Sequence, residues 1–354
     1  MEKIIVTGGM GFIGSSLVRE LILRNYKVLN IDVVTSSSSE DTLKKIENNQ
    51  NYTFAKIDIR NFNQLENLIE NFSPNKIMHL AAESHVDSSI ESPKIFFETN
   101  VMGTFNLLDV AYKYWNRIKK NNSFRFLHVS TDEVYGDLGN SKKLFSENTC
   151  YSPSSPYAAS KASSDHLVRA WCRTYNFPAI VTNCSNNYGP FQFPEKLIPH
   201  IILSALAGKV LPVYGNGLQV RDWLHVKDHI NALIEVVNKG KIGETYNIGG
   251  LNEKTNIYVV KTICKFLGEL VPKKTNSVIN YADLITFVKD RPGHDTRYAI
   301  DASKIMKELN WRPAESFETG LYKTVKWYLE NQKWWKKILN KSYEIRRIGL
   351  ENKN

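Results

Sequence analysis

Along the first half of the chain, short apolar runs alternate with longer stretches in which apolar residues return every three or four positions. Lys3–Thr7 (KIIVT), Lys27–Asp32 (KVLNID), Thr53–Asp58, Lys76–Leu80 (KIMHL), Phe124–Ser130 (FRFLHVS) and Ala179–Asn183 read as strands. Gly14–Arg24 reads as a helix with Leu17, Val18, Leu21 and Ile22 on one face. Further helices are expected at Phe62–Asn71, Ile95–Tyr114 and Tyr157–Tyr175. Strand–helix alternation of this kind predicts an α/β fold, a doubly wound parallel sheet covered on both faces. After about Asn187 proline and glycine become frequent and the alternation weakens, which places a smaller α/β lobe there. Thr245–Ile248 (TYNI) is a strand expected to return to the first sheet. The domains are therefore expected at 1–187, with a returning segment near 223–250, and at 188–340, followed by a basic tail at 341–354.

The chain has 354 residues, 42% hydrophobic and 23% charged, enough to bury a core without disulfides or metals. No apolar run approaches the roughly 18 residues of a membrane span. The N-terminal run holds a glycine cluster and no cleavage site, so no signal peptide is expected. Cys150, Cys172, Cys184 and Cys264 form no C-x-x-C pair, no zinc spacing and no metal site. They read as reduced thiols, and the chain as cytoplasmic. The net charge is +10, and residues 333–354 carry seven Lys or Arg against two Glu, half of that excess. A solvated tail is the plain reading. No nucleic-acid motif accompanies the charge.

Between the first strand and first helix lies Thr7-Gly8-Gly9-Met10-Gly11-Phe12-Ile13-Gly14. Glycines at Gly8, Gly11 and Gly14 allow a tight turn, a close approach of backbone to a pyrophosphate, and close packing of helix on strand. The anion would sit on the helix N-terminus. A glycine triplet alone could be a bare turn. Asp32 ends the second strand 18 residues after Gly14, where it can accept hydrogen bonds from ribose hydroxyls and repel a 2′-phosphate. The two features together point to NAD over NADP. Asp58-Ile59 follows the third strand and either contacts the adenine or caps a helix. Leu80-Ala81-Ala82 ends the fourth strand, where small residues either admit a flat ligand or pack strand on helix.

Tyr157 and Lys161 stand four apart near the start of a helix, hence on one face. A phenol is a poor base at neutral pH. A neighbouring ammonium and a nicotinamide cation would both lower its pKa, letting it take an alcohol proton as hydride leaves. Ser130-Thr131-Asp132-Glu133 follows the fifth strand, at the edge where open α/β sheets hold ligands. Two adjacent carboxylates are either a solvated turn or an acid and a base with separated pKa values.

VTGGMGFIG, Asp32 and Tyr157/Lys161 resemble the extended short-chain dehydrogenase/reductase superfamily, the NAD-dependent epimerase/dehydratase family, with its Rossmann-like sheet. STDEVYG (130–136), SPYAASKASSDHLVRAW (155–171), CSNNYGPFQFPEKLIP (184–199), GLQVRDWLHVKDH (217–229) and DRPGHDTRYAID (290–301) are similar to its 4,6-dehydratase branch, which acts on dTDP-glucose. The resemblance runs from about Lys3 to Trp335. It implies a hydro-lyase of deoxysugar synthesis in which C4 is oxidised, water is lost across C5/C6, and C6 is reduced. Tyr157 would take the O4 proton, Glu133 the C5 proton, protonated Asp132 would serve the departing O6, and Thr131 would hydrogen-bond O4.

The resemblance also implies cofactor contacts from Phe12, Ile13, Thr99 and Asn187 and substrate contacts from Ser84, Asn186, Glu195, Lys196 and Leu197. Pro212 and Tyr214 would lie by the base, with Arg221, Asn256, Arg291 and His294 along the diphosphate. It implies a homodimer through the two long helices. UDP-glucose is the rival substrate, one methyl away. A non-catalytic NAD-binding regulator is a remote alternative that intact Tyr157, Lys161, Asp132 and Glu133 argue against. Two stretches depart from the family. After Asp32 the chain reads Val33-Val34-Thr35 and serines in place of a Leu-Thr-Tyr-Ala-Gly-Asn type of run. The family's Asp-Arg-Ser-Ile reads Asp87-Ser88-Ser89-Ile90.

Overall fold

The computed structural model describes residues 1–35, 38, 40–271 and 280–340; most of the Ser36–Ser39 run and the tail at 341–354 lie outside the described residues. Seven parallel strands form the main sheet in the order β10-β6-β5-β4-β1-β2-β3. They are β1 (Lys3–Thr7), β2 (Lys27–Asp32), β3 (Tyr52–Lys56), β4 (Lys76–His79), β5 (Arg125–Thr131), β6 (Ala179–Cys184) and β10 (Thr245–Ile248). All residues of β4, β6 and β10 are buried, because helices cover both faces and leave no side of these strands for water. β3, at the edge, exposes Thr53, Phe54 and Lys56. The expected return strand pairs parallel with β6, Thr245 opposite Val181.

On one face α1 (Phe12–Leu23) and α8 (Val226–Lys239) bury Leu17, Val18, Leu21, Ile230 and Leu233 against Ile4, Val6 and Met78. Ile300, Ile305 and Trp311 join the same core. On the other face α2 (Phe62–Phe72), α5 (Thr104–Arg117) and α6 (Pro156–Tyr175) pack Leu65, Leu107, Ala111 and Val168 on Ile5, Leu29 and Ile77. A separate core joins α7 (Leu197–Leu206), α9 (Asn256–Leu270) and α11 (Phe317–Glu330) through Ile201, Ile202, Val259, Ile263, Leu321 and Val325. Around it lie β7 (Asn186–Tyr188), β8 (Leu211–Tyr214), β9 (Val220–His225), β11 (Glu253–Thr255) and β12 (Ile285–Val288), in a three-stranded sheet β11-β9-β7 and a pair β12-β8.

The long helix expected at 95–114 is present, running from Pro93 to Arg117, but its middle is π-helical. α3 (Val86–Glu91) and the single turn α4 (Pro93–Phe96) lead into a π-helical stretch, Phe97–Gly103, before α5 begins. The stretch is tied to distant segments: the Asn100 side chain accepts Glu83 N–H at 2.8 Å and donates to Ser160 Oγ at 2.9 Å. Gly103 lies so close to Ile59 that a Cβ there would meet its side chain at 2.6 Å. The widened turn brings Thr99 to the cleft described next. Such bulges gather at functional sites.

Candidate active site

The sheet order reverses between β1 and β4, and the carboxyl ends of these strands open onto a cleft of about 430 Å³. Gly8 begins its floor with φ +75, a conformation that a side chain would strain, and its N–H bonds Ile31 carbonyl at 2.8 Å. Gly14 packs so tightly on the turn that a Cβ would sit 2.1 Å from the Gly8 carbonyl oxygen. Gly11 stands at the N-cap of α1 with no side-chain cap, so the first N–H groups of the helix are open to an anion. Asp32 accepts from Met10 N–H at 2.9 Å and Val34 N–H at 2.7 Å; burial raises its pKa and these backbone donors oppose that.

Phe12, Ile13, Asp58, Ile59, Leu80, Ala81, Ala82, Thr99 and Asn187 line the same cleft. Asp58 is not the cap of α2: Asn61 is, its Oδ1 accepting Gln64 N–H at 3.2 Å. Two buried acceptors on the wall, Asn186 Oδ1 and Gln192 Oε1, have no partner in the protein. A glycine-floored, open helix start, an acidic strand end and unmatched amide oxygens fit a dinucleotide.

At the far end β5 delivers Thr131, whose Oγ1 accepts Glu133 N–H at 3.3 Å and starts the short turn Asp132–Tyr135. The turn places two carboxylates in unlike surroundings. Asp132 is 1% exposed, and one of its oxygens has no partner. Burial first, then the charges of Glu133 and Asp222, hold its carboxyl well above the ordinary range. Glu133 is also raised by burial, but Arg291, Arg221 and Lys196 pull it back toward the ionised form.

Ser155 caps α6, its Oγ accepting Ala158 N–H at 3.1 Å, and Pro156 starts the first turn, so Tyr157 and Lys161 enter the cleft from the first turns of the helix. Burial, then the charge of Glu133, push the Tyr157 phenol well above its usual range, while a hydrogen bond with Thr131 opposes this. The Lys161 ammonium donates to Val129 carbonyl at 2.9 Å, and burial lowers its own pKa. The protein alone thus raises the phenol, with burial the largest cause. A cationic ring bound beside Tyr157 would act in the opposite direction.

The residues expected at the substrate end come from several separate segments. Ser84, Asn186, Glu195 and Lys196 line the cleft, and Lys196 Nζ bonds Ser84 carbonyl at 3.0 Å. Leu197 opens α7, Pro212 and Tyr214 lie on β8, and Asn256 opens α9. These four, with Arg221 and Arg291, are not on the cleft wall. His294 lines a second cavity of about 680 Å³ with Gln219, Asp290 and Arg297, its Nδ1 2.6 Å from Asp290. Arg221 donates to Val220 and Asp295 carbonyls at 2.8 and 2.9 Å. Arg221, Arg291 and Lys196 nonetheless converge electrostatically on Glu133.

The family model described as GDP-mannose 4,6 dehydratase matches residues 5–324. A dTDP-glucose 4,6-dehydratase of Neisseria meningitidis serogroup B is 58% identical, covering 99% of both chains. One from Escherichia coli is 57% identical over 98% of this chain and 99% of its own. The chain belongs to the dTDP-glucose 4,6-dehydratase family. Among solved structures, the family member from Bacillus anthracis, in complex with NAD, superposes with TM-score 0.83 at 46% identity, covering 96% of this chain and 100% of that one. The Streptomyces venezuelae member, with NAD and TDP bound, gives 0.86 at 40%, covering 95% and 99%.

Against that family, the reading of the sequence passed over several cleft residues. Arg60, two positions after Asp58, and Gln192 and Phe193, inside a block that was noted, line the wall. Tyr298 lies in the DRPGHDTRYAID block. The Arg221 guanidinium stacks over its ring at 4.2 Å, its hydroxyl bonds Asp295, and Glu133 acts on its pKa. The signal for Tyr298 was present, an aromatic one residue past an arginine in that block, but nothing local says which residues it faces. In the family's Asp-Arg-Ser-Ile position, Asp87 takes its arginine from elsewhere, Arg291, at 2.8 Å.

Proposed function

We propose that the chain dehydrates dTDP-glucose to dTDP-4-keto-6-deoxyglucose with NAD as a cofactor that ends as it began. The observation that carries this is the pair at the end of β5: adjacent carboxylates, one whose pKa burial holds well above the ordinary range and one that the charges of Arg291, Arg221 and Lys196 pull back toward the ionised form. An epimerase that only oxidises and re-reduces C4 has no use for such a pair. NAD, when bound, accepts hydride from C4 and returns it at C6. Gly8, Gly11, Gly14 and the start of α1 hold its pyrophosphate, and Asp32 its adenosine ribose.

Thr131 hydrogen-bonds O4 and Tyr157 takes its proton. Lys161, pinned to Val129 carbonyl, keeps a positive charge in the wall behind. The C4 ketone acidifies C5–H. Glu133 removes that proton as an ionised base, Asp132, protonated, donates to the departing O6 as water, and as C6 receives the hydride a proton is returned to C5. Arg221, Arg291, Lys196 and Asn256 serve the diphosphate, and Pro212 and Tyr214 the base.

The test is incubation with dTDP-glucose and with UDP-glucose, following the 4-keto product by its absorbance in alkali. Turnover of dTDP-glucose is expected. Uracil lacks one methyl, worth roughly 1–3 kcal/mol, so UDP-glucose should be poorer by about 10-fold or more. No product from either sugar overturns the reading.

The same reading includes a cytoplasmic homodimer. No described helix is long and apolar enough to cross a membrane. Phe97, Met102, Phe105 and Tyr175 are exposed although apolar, and Phe105 packs edge-on against Trp171, so they lie on adjacent helices that a second copy would cover. Light scattering should find a dimer, and Met102→Glu should shift it toward monomer.

A further inference from the structure

Helix α3 starts behind His85, whose Nδ1 accepts Ser88 N–H at 3.2 Å, and this fixes Asp87 in its first turn. The Asp87 carboxylate receives two donors from segments 204 and 127 positions away. Arg291 Nη1 reaches one oxygen at 2.8 Å, and the Tyr214 hydroxyl reaches the other at 3.2 Å. Tyr214 ends β8 and Arg291 follows β12, so both donors belong to the elements around the second core. The pair is mostly buried, with the side chains of Arg291 and Asp87 16% and 13% exposed.

Arg291 Nε is buried and has no partner. A guanidinium presents donors on two edges. Here one edge is spent on Asp87 and a donor on the other is unmet, which is costly unless a ligand supplies an acceptor. The charge of Arg291 acts on Glu133, so the guanidinium is within electrostatic reach of that carboxylate. The residue after Asp87 is Ser88, where the family has arginine, so Asp87 has no arginine beside it in sequence and its cation comes from residue 291.

We propose that Asp87 is a positioning residue for the substrate's diphosphate: it grips Arg291 by Nη1, presents the Nε edge to a phosphate oxygen, and steadies Tyr214 at the same site. This rests on the reading of the chain as a nucleotide-sugar dehydratase. Asp87 touches no reacting atom, so it should govern binding and leave chemistry alone.

The test uses the full chain loaded with NAD, as wild type, Asp87→Ala, Asp87→Asn, Arg291→Ala and the double alanine variant. Thymidine diphosphate binding is read by calorimetry, and kcat and KM with dTDP-glucose. Asp87→Ala should weaken thymidine diphosphate and raise KM by about tenfold, the scale of one charge-assisted hydrogen bond, with kcat within about threefold. Asp87→Asn, whose amide oxygen still accepts from Arg291, should stay within about threefold of wild type. With Arg291→Ala already present, Asp87→Ala should cost nothing more. Wild-type affinity in Asp87→Ala, a loss in kcat alone, or additive losses in the double variant would overturn the proposal. If Asp87→Ala does not fold by circular dichroism, Asp87→Ser against Asp87→Asn decides: serine is too short to reach Arg291, and equal affinities count against Asp87. Failure of the wild type to make 4-keto product would strike the functional reading, while the diphosphate titrations would still judge Asp87.

Discussion

Around the first glycine turn the cleft wall is largely backbone, drawn from one βαβ unit; the residues proposed for the nucleotide end are long side chains from distant segments, most of them off that wall and already bonded to other elements. Gly8, Gly11, Gly14 and Asp32 lie within 25 residues of each other, and their positions follow from one tight turn and one helix start. Arg221, Arg291, Lys196 and Tyr214 reach their places across the fold, and each is bonded to a carbonyl or a carboxylate of another element. The first wall would take the dinucleotide proposed there on backbone whose turn is already fixed. The second set must share or exchange partners when its ligand arrives, so binding there should be easier to tune and harder to abolish.

The largest effects are expected where the two walls meet. Tyr157→Phe should lose C4 oxidation with the fold intact, and Glu133→Gln should keep oxidation but stall before loss of water, each by about 10²–10⁴-fold in overall rate. Rapid-mixing absorbance separates them: Glu133→Gln should accumulate reduced cofactor with little 4-keto product, and Tyr157→Phe should show none. Asp132→Asn keeps the base, so exchange of C5–H with solvent deuterium should persist while water loss slows. The pH dependence follows from direction. Glu133 works ionised and its pKa is raised by burial, so dehydration should fall as pH drops, with a midpoint above the ordinary glutamate range. Asp132 works protonated and is held higher still, so it stays competent through that fall. Product formation by Glu133→Gln at the wild-type rate would reduce the pair to a turn.

Gly14→Ala comes next. Its Cβ would lie 2.1 Å from the Gly8 oxygen and 2.8 Å from Gly9 Cα, backbone atoms that cannot rotate away. NAD affinity by calorimetry should fall on the order of 100-fold. At Gly11 a Cβ meets only the Gly8 oxygen, at 3.4 Å, so a loss in Gly11→Ala reports crowding of the ligand itself. An unchanged affinity in Gly14→Ala would mean that this wall is as pliable as the other. Asp32→Ala should cost about tenfold for NAD and narrow the gap to NADP. Equal affinity of the wild type for NAD and NADP would remove Asp32 from the ribose.

What was legible in the sequence follows the same division. The run from Lys3 to Asp32 shows its strand, turn, helix and strand through apolar spacing and three glycines, because all its determinants are local. Thr245–Ile248 was legible as a strand expected to return to the sheet, and it pairs with β6. The π-helical stretch at Phe97–Gly103 was not. Its apolar residues keep a helical rhythm, and the stretch is tied through Asn100 to Glu83 and Ser160, the latter 60 positions away. The Asp87–Arg291 contact spans 204 positions and leaves no periodic trace. Tyr157 shows a third kind of limit. Its spacing from Lys161 was plain, but the ammonium turns to Val129 carbonyl, and the phenol's environment is set by burial and Glu133.

The smallest effect is expected at Asp58, and it tests whether the cofactor wall stays backbone-built out to its rim. Asp58 holds Arg60 by both oxygens, with Nη2 at 2.6 Å and Nε at 3.0 Å, and accepts Arg60 N–H at 2.8 Å. The Arg60 hydrogen bond lowers its pKa. The side chains of Arg60 and Asp58 are 41% and 27% exposed, so water screens the pair, and such pairs contribute about 0–1 kcal/mol. Asn61, not Asp58, caps α2, so the helix start does not depend on this carboxylate. Asp58→Asn should therefore change NAD affinity by no more than about threefold and the melting temperature by less than about 2 °C. A loss matching Asp32→Ala would mean that the adenine end is gripped by a side chain and not by the turn. A fall of about 5 °C or more would make Asp58 a strut of the loop. Either result would move the boundary between the two kinds of wall inward, to somewhere between Asp32 and Ile59.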